Sequence, residues 1–393
     1  MQNAPASPIG IAKLSKLAFD GTDLMPLWRG LVDRFIADQD AAAALMDLAT
    51  IEQFLGDNES GLARQREALS LARLYRSPVT GSPRLRLLAL AAAGDIGTNT
   101  PLEFLLDGSD IALDTLYVVP GLPLPDPLPE FDIAIVAAGE SDENRPVLAA
   151  VAEITKNWPQ RVLNPPAQIA ELSRDRLARR LAGIPGLIVP PTLRLERAAL
   201  ARLGRGESDL CRFPLIARPI DSHAGRGLEK LADGAALARY LATRAEQEFF
   251  VSPFIDYAGA DGHFRKYRIA FIDGRPYACH MAIADQWMIY YLNAGMRDAP
   301  WKRAEEARFM AGFDEDFARR HGGALHEIAT RIGLDYFAID CAETPDGALL
   351  LFEADIAMIV HDMDPADIFP YKGPQMRKLF TAFRALVKRK AET

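Results

Sequence analysis

Two apolar runs near the C-terminus constrain this chain most. Residues 335–343 read DYFAIDCAE and residues 347–355 read GALLLFEAD, and TPDG at 344–347 joins them as a strong hairpin signal. Both runs are apolar enough to be core strands, yet they carry Asp340, Glu353 and Asp355. Alternation with period two places Glu353 and Asp355 on one face of their strand, and the hairpin brings Asp340 close to them. Three carboxylates on one apolar face repel each other and need a cation or basic partners. An all-oxygen set suits Mg2+, and Mg2+ held by few carboxylates usually also holds phosphate oxygens. The alternative is an edge strand whose charges face water. The high cost of burying unpaired charge and the core-like texture of both runs favour the first reading.

Length and composition narrow the rest. At about 150 residues per domain, 393 residues predict two to three domains. With 49% apolar and 25% charged residues the chain is ordinary globular protein, not a disordered segment or a coiled-coil rod. The formal net charge of −8 argues against nucleic acid as a partner. Cys211, Cys279 and Cys341 are widely spaced and form no C-x-x-C pair, which argues against a disulfide framework or a structural zinc site. No run of about 18 apolar residues suggests a membrane span, and the N-terminal MQNAPASPIGIAKLSKLAFDG has no signal-peptide core. The expectation is a soluble cytoplasmic protein.

Three units follow along the chain. Residues 1–80 read as helical, with MPLWRGLVDRFIADQ, AAALMDLATIEQFLG and GLARQREALSLARLYR each carrying apolar residues at three- and four-residue spacing. Ala68, Leu71 and Tyr75 resemble half of a tetratricopeptide unit, but no second copy follows. This unit is either a cap on the next domain or a surface for a protein partner. Residues 81–168 alternate apolar runs and helical stretches, predicting a parallel α/β sheet. Gly94 and Gly97 follow its first strand as in a nucleotide-binding turn, without the full G-x-G-x-x-G. Asp95, Asn99, Thr100 and Glu140 are candidates there for substrate contact or for ordinary turn roles. Residues 169–393 are α+β with mainly antiparallel strands, in a lobe at about 190–250 and another at about 251–393. A helical stretch is expected at 303–332 and an amphipathic helix over KGPQMRKLFTAFRALVKRK.

Three further elements carry chemistry. In LIARPIDSHAGRG a strand ends at Arg218, and small residues follow that let backbone N–H groups approach phosphate oxygens. In FFVSPFIDY a strand breaks at Pro253, exposing backbone that can read an adenine edge, with Asp256 nearby for a ribose. In FRKYRIAFIDGRPYACHMAI, alternation puts Lys266 and Arg268 on one face of a hairpin, able to meet phosphates and a developing anion. A solvated basic strand is the alternative. His280 belongs to that site or to the core.

Taken in order, these elements resemble the ATP-grasp superfamily, that of glutathione synthetase and D-alanine–D-alanine ligase, over residues 170–360. The resemblance implies a pre-ATP-grasp α/β domain followed by a two-lobed ATP-grasp domain, with ATP and Mg2+ (or Mn2+) as cofactors. Arg176 matches a phosphate-contacting residue, and Arg218 matches the basic residue of the next strand. Ser222, His223, Gly225, Arg226 and Gly227 match the mobile phosphate loop. Val251, Ser252, Pro253, Phe254 and Asp256 match the adenine hinge. Arg268, with Lys266 and His280, matches the catalytic face. Asp340, Glu353 and Asp355 match the metal ligands. Arg stands where Lys is frequent, and Asp355 stands where Asn is usual. Asn99, Trp287, Asn293 and His361 are expected on the substrate side by position, beside Tyr290, Tyr291 and Asp362. The implied activity is carbon–nitrogen bond formation between a small carboxylate and an amine, such as an amino acid or peptide, through an acyl phosphate. A phosphotransferase and a catalytically weak nucleotide-binding adaptor are the alternatives. A homodimer is expected only because closed two-fold pairs are the commonest oligomers.

Overall fold

The computed structural model describes residues 5–37, 41–79, 81–222 and 225–392. It opens with four helices, α1 (Ile11–Phe19), α2 (Met25–Ile36), α3 (Ala41–Phe54) and α4 (Asn58–Leu71). The first three share a core of Leu14, Leu31, Ala44, Leu48 and Ile51, while α4 packs through Ala68 with Leu45, Met46 and Tyr75. Helix α4 does not run on through Tyr75 as its periodicity predicts. Ala72 is extended, and β1 (Leu74–Arg76) pairs antiparallel with residues 114–116. Tertiary pairing overrides local periodicity here: Tyr75 is buried edge-on against Tyr117, at 5.8 Å between ring centroids.

The α/β layer comprises β2 (Leu85–Ala91), α5 (Leu102–Leu106), β3 (Ile111–Tyr117), β4 (Ile133–Val136), α6 (Arg145–Thr155) and β5 (Val162–Leu163). Strand order is β1-β3-β2-β4-β5, with every pair parallel except the one β1 makes. The expected parallel sheet is therefore present, extended by a strand from the preceding segment. All of β4 is buried, as a strand covered on both faces should be. Two helices, α7 (Pro166–Ile169) and α8 (Arg174–Leu181), then lead to β6 (Leu187–Ile188).

A small lobe follows: β7 (Leu193–Glu196), α9 (Arg197–Gly204), β8 (Leu215–Pro219), β9 (Glu229–Leu231), α10 (Gly234–Ala242) and β10 (Glu248–Pro253). Its antiparallel sheet runs β7-β10-β8-β9 over a core of its own, including Leu200, Leu237, Phe249 and Val251. The two helices touch backbone to backbone. A Cβ on Gly234 would lie 1.9 Å from the Gly204 carbonyl oxygen, so only glycine fits there.

The larger sheet is built from β11 (Phe264–Ile272), β12 (Arg275–Ala284), β13 (Tyr336–Glu343) and β14 (Leu349–Asp355), in the order β12-β11-β13-β14-β6. Asp273 (φ 49°) and Gly274 (φ 78°) make the tight turn between β11 and β12, both left-handed as a two-residue hairpin demands. The helical stretch expected at 303–332 is three helices, α11 (Pro300–Ala311), α12 (Phe317–Arg320) and α13 (Gly322–Ile332). Gly312 ends the first, so Phe313 and Phe317 can turn into the core. Helix α14 (Lys372–Ala391) closes the fold, with Leu379, Phe383 and Leu386 buried. No described helix is long and apolar enough to cross a membrane.

Candidate active site

The floor of the site follows from strand register. Arg268 lies opposite Asp340, and Asp340 opposite Glu353. Lys266 and Arg268, two residues apart on β11, project to the same face. Between Asp340 and Cys341 the register of β13 and β14 shifts, with Phe352 as the extra residue of a bulge. Asp340 is 2% exposed. It accepts from Lys266 Nζ at 2.9 Å and from Arg268 Nε and Nη2 at 2.8 and 3.0 Å. Burial alone would raise its carboxyl; Arg268 and Lys266 outweigh burial and hold it well below the usual carboxylate range. Glu353 is likewise lowered, with burial opposed by Arg174, which donates to its carboxylate. Asp340 and Glu353 thus meet basic partners. Cys341, beside Asp340, is fully buried with its thiol pushed up, which suits core and not nucleophile.

The expected metal set is engaged within the protein. Among the described residues no group of three histidine, cysteine or carboxylate side chains is placed to hold a metal ion. The oxygens are the right donors for Mg2+. However, both Asp340 oxygens are taken by cations, Glu353 is on Arg174, and Asp355 accepts from the Ala357 amide at 3.1 Å. Glu353 and Asp355 are the residues that could hold the ion, together with phosphate oxygens of a nucleotide.

A cavity of about 930 Å³ lies above this floor, between it and the small lobe. Arg174, Arg218, Gly225, Ser252, Pro253, Phe254, Lys266, Arg268, His280, Trp287, Asn293, Asp340, Glu353, Asp355 and His361 all line it. Arg218, on β8, donates through Nε to Ser222 Oγ at 3.1 Å and also to the Ser222 carbonyl. Ser222 Oγ in turn donates to Pro219 O at 2.7 Å. Burial, with Arg174 nearby, pushes the Arg218 guanidinium down to about 9, still charged at neutral pH. Phe254 meets Trp287 edge-on at 5.7 Å, both rings lining the cavity, and the Lys230 ammonium lies 3.5 Å from the Phe254 ring centre.

Other expected residues lie off the cavity. Arg176 donates to Ala170 O at 3.2 Å and pairs with Glu171, whereas Arg174 faces the cavity. Two positions on a helix differ by about 200° of rotation, so both cannot face one ligand. Val251 belongs to the small-lobe core, and Asp256 accepts from the Ala258 amide at 3.1 Å in a local turn. Ser222 props Arg218 and does not line the cavity. Gly227 serves packing: a Cβ there would lie 2.6 Å from Pro219 Cδ, and its carbonyl accepts from Tyr240 OH. Arg226 reaches Asp95 at 3.8 Å. His223 lies outside the described residues. The Phe254 amide of the hinge donates to Pro214 O at 3.0 Å.

On the substrate side, His280 sits opposite Arg268 with its ring 4.6 Å from Tyr291. Burial, then Arg268 and Lys372, keep it neutral, well below its ordinary value. Its Nε2 is shielded and finds no partner among the described residues. Behind it Tyr291 and Tyr371 donate to buried Glu306, and Lys372 bonds Asp364 at 2.9 Å. Asn293 accepts from the Tyr290 amide at 3.1 Å. His361 accepts from the Met363 amide at 3.1 Å, and burial pushes it down to about 4.

Asn99 is a correction. Its amide bonds Ala92 N and Ala92 O, each at 2.8 Å, and it lines a separate cavity of about 120 Å³. The Gly94–Gly97 turn is occupied by the chain itself. Gln65 takes Gly94 N at 2.8 Å and Gly94 O at 2.9 Å, and Gln53 takes Ile96 N at 3.0 Å. Asp95 accepts from Gly97 N and Thr98 Oγ1, an ordinary turn role, and Thr100 N bonds Ala137 O. Glu140 is pushed up to about 7 by burial and by Asp355, Asp221 and Asp142. Sequence reasoning missed Arg174, and it missed α1 and α3, which wall one end of the cavity.

Among solved structures the chain is similar in fold to D-alanine–D-alanine ligase from Bacillus anthracis, at 12% identity and TM-score 0.49, covering 78% of this chain and 97% of that one. It is also similar to a RimK domain ATP-grasp protein from Sphaerobacter thermophilus DSM 20745, at 18% identity and TM-score 0.41 over 76% and 98%. VanG D-Ala:D-Ser ligase from Enterococcus faecalis matches at 12% identity and TM-score 0.46 over 77% and 99%. No protein-family model matches the chain, and no curated protein matches it.

Proposed function

We propose that this protein is an ATP-dependent ligase that joins a carboxylate to an amine. One observation carries the reading: Arg174, Arg218, Lys266 and Arg268 converge on one cavity, large enough for a nucleotide and a second substrate, with the Phe254 and Trp287 rings in its lining. Phosphoryl transfer asks a protein mainly for positioning and for stabilisation of spreading negative charge. The base packs on the Phe254–Trp287 aromatic pair, and Arg218 and Arg174 lie along the triphosphate. Lys266 and Arg268, held by Asp340, face the transferring phosphoryl group without reorganising during reaction. A substrate carboxylate oxygen attacks the γ-phosphorus, the bond to ADP breaks, and an acyl phosphate forms. An amine then attacks the acyl carbon, the bond to phosphate breaks, and the leaving phosphate carries away the amine proton. No step is routed through a metal; Glu353 and Asp355 would hold Mg2+, which would neutralise charge on the phosphates.

The experiment is calorimetric titration of ATP into the wild type and Arg174→Ala, followed by an ADP-release assay with carboxylates and amines. The expected result is ATP binding weakened at least tenfold by the substitution, and ADP release that requires an amine. A wild type that does not bind ATP sinks the proposal, and ADP release indifferent to amine replaces it with phosphoryl transfer to another acceptor.

A further inference from the structure

The cavity continues past the cationic floor to a second end, which the proposed function leaves without a role. That end is walled by the N-terminal helices. Ile11, Ser15, Ala18 and Phe19 of α1 follow the i, i+4, i+7, i+8 spacing of one helix face and line the cavity, while Leu14 points into the helical core. Phe54 of α3 and Phe104 of α5 complete the wall, and residues 357–363 add Met358 and Met363. Of the described lining residues on this wall and its continuation only Asp364 is charged, and Lys372 holds it at 2.9 Å; His361 sits between Phe19 and Phe104, at 5.9 and 6.2 Å, and is neutral at physiological pH.

The wall is fastened into the fold. Asp47 accepts from the amides of Ile9 (2.8 Å) and Gly10 (3.2 Å) ahead of α1. Glu103 of α5 accepts from Ala12 N at 2.9 Å and Ser77 Oγ at 2.8 Å. Gln53 and Gln65 tie α3 and α4 to the Gly94–Ile96 turn. Two elements of the α/β layer, α5 and the Gly94–Ile96 turn, therefore hold the helices in register with the site. An apolar surface so placed and so fixed is preorganised to bind.

We infer that the carboxylate substrate carries an apolar tail, and that its aliphatic or aryl chain lies against the α1–α3 wall while its carboxylate meets Arg268 and Lys266. The inference rests on the ligase reading for the role of the carboxylate head. It assigns the helical segment to substrate selection and not to docking a protein partner. A second carboxylate at the far end of the tail is rejected, since the wall offers it no cation.

The test titrates butanoate, hexanoate, octanoate and octanedioate into the full-length protein, each with and without the non-hydrolysable ATP analogue AMP-PNP, whose own binding is recorded. The expected result is about fourfold tighter binding for each added methylene, with octanedioate at least tenfold weaker than octanoate. In Phe19→Ser the gain per methylene falls to about twofold or less while AMP-PNP binding is unchanged. A flat chain-length series, or octanedioate binding as well as octanoate, overturns the inference. So does a folded Phe19→Ser variant that keeps the full slope. If that variant fails to fold, the wild-type series and the octanedioate comparison decide alone. Failure of AMP-PNP to bind beside a retained slope removes the ligase reading and leaves the tail site standing; nucleotide binding without a slope does the reverse.

Discussion

At one end of the cavity Asp340 is 2% exposed and holds Lys266 and Arg268 within 3.0 Å. At the other end Phe19, Phe54 and Phe104 present a surface without charge. The cationic end is fixed before any ligand arrives, and a displaced atom there leaves a buried charge unpaired, so it tolerates almost no change. The apolar end discriminates by area alone, and each methylene placed against it is worth only about fourfold in affinity. Such a site is strict about the reacting group and graded about what the group is attached to.

The sharpest way to break this comparison is Asp340→Ala. It strands Lys266 and Arg268 in the floor, and removing one partner of a buried pair costs about 3–5 kcal/mol. Urea unfolding should show a lower midpoint at unchanged slope. A midpoint shifted by less than about 0.5 kcal/mol, the size of an ordinary surface change, would mean the floor is not held by these charges. Arg268→Ala comes next and acts on rate. Asp340 keeps Lys266, so the fold survives, while the preorganised donor at the phosphoryl group is lost. The expected drop in the rate of ADP release is about 10²–10³, and a drop below about tenfold would remove Arg268 from the charge-stabilising role.

The two ends also differ in how far the sequence discloses them. Strand alternation, a D-G turn and a P-D-G turn suffice to set β11, β12, β13 and β14 and to put Lys266, Arg268, Asp340 and Glu353 on one face. These signals are local, with fixed period. What alternation does not encode is which charge meets which: the carboxylates that suggest a metal are matched by arginines whose partners are 72 and 179 residues away in sequence. The wall is less legible still. The apolar face of α1 looks the same whether it covers a core, a partner or a cavity. Tyr75 fits a helical period, yet it becomes a strand residue because β3 offers its edge. Gly94 and Gly97 resemble a phosphate turn until Gln53 and Gln65 fill it.

The attachment of the wall can be probed through pH. Burial pushes the Asp47 carboxyl up to about 6, against the amides of Ile9 and Gly10, which work the other way. An unfolded aspartate titrates near 4, so the folded state binds this proton more tightly. The stability it lends is fully present below about pH 4 and is lost as the pH rises through 6. A shift of about two units corresponds to on the order of 3 kcal/mol. Asp47→Asn keeps an acceptor for the amides and removes the titration. Wild type and variant should therefore diverge from pH 4 to pH 7 in urea unfolding, with the wild type losing ground. A difference constant across that range would show that Asp47 does not titrate in the fold.

The smallest expected effect bears on the cationic end and on the helix that serves it. Arg174 and Arg176 are two residues apart in α8, and only Arg174 reaches Glu353 and the cavity. Arg176 bonds a backbone carbonyl of its own neighbourhood and has a side chain 41% exposed. Arg176→Ala should change stability by no more than about 0.5 kcal/mol and leave ATP affinity within twofold, in the same calorimetric titration in which Arg174→Ala loses tenfold. If instead the two substitutions weaken ATP equally, α8 must turn by roughly half a rotation when nucleotide binds. Arg174 would then leave Glu353, and that carboxylate would be released for another partner. The pair of variants thus reads out whether the cationic end is as rigid as its ion pairs make it in the free protein.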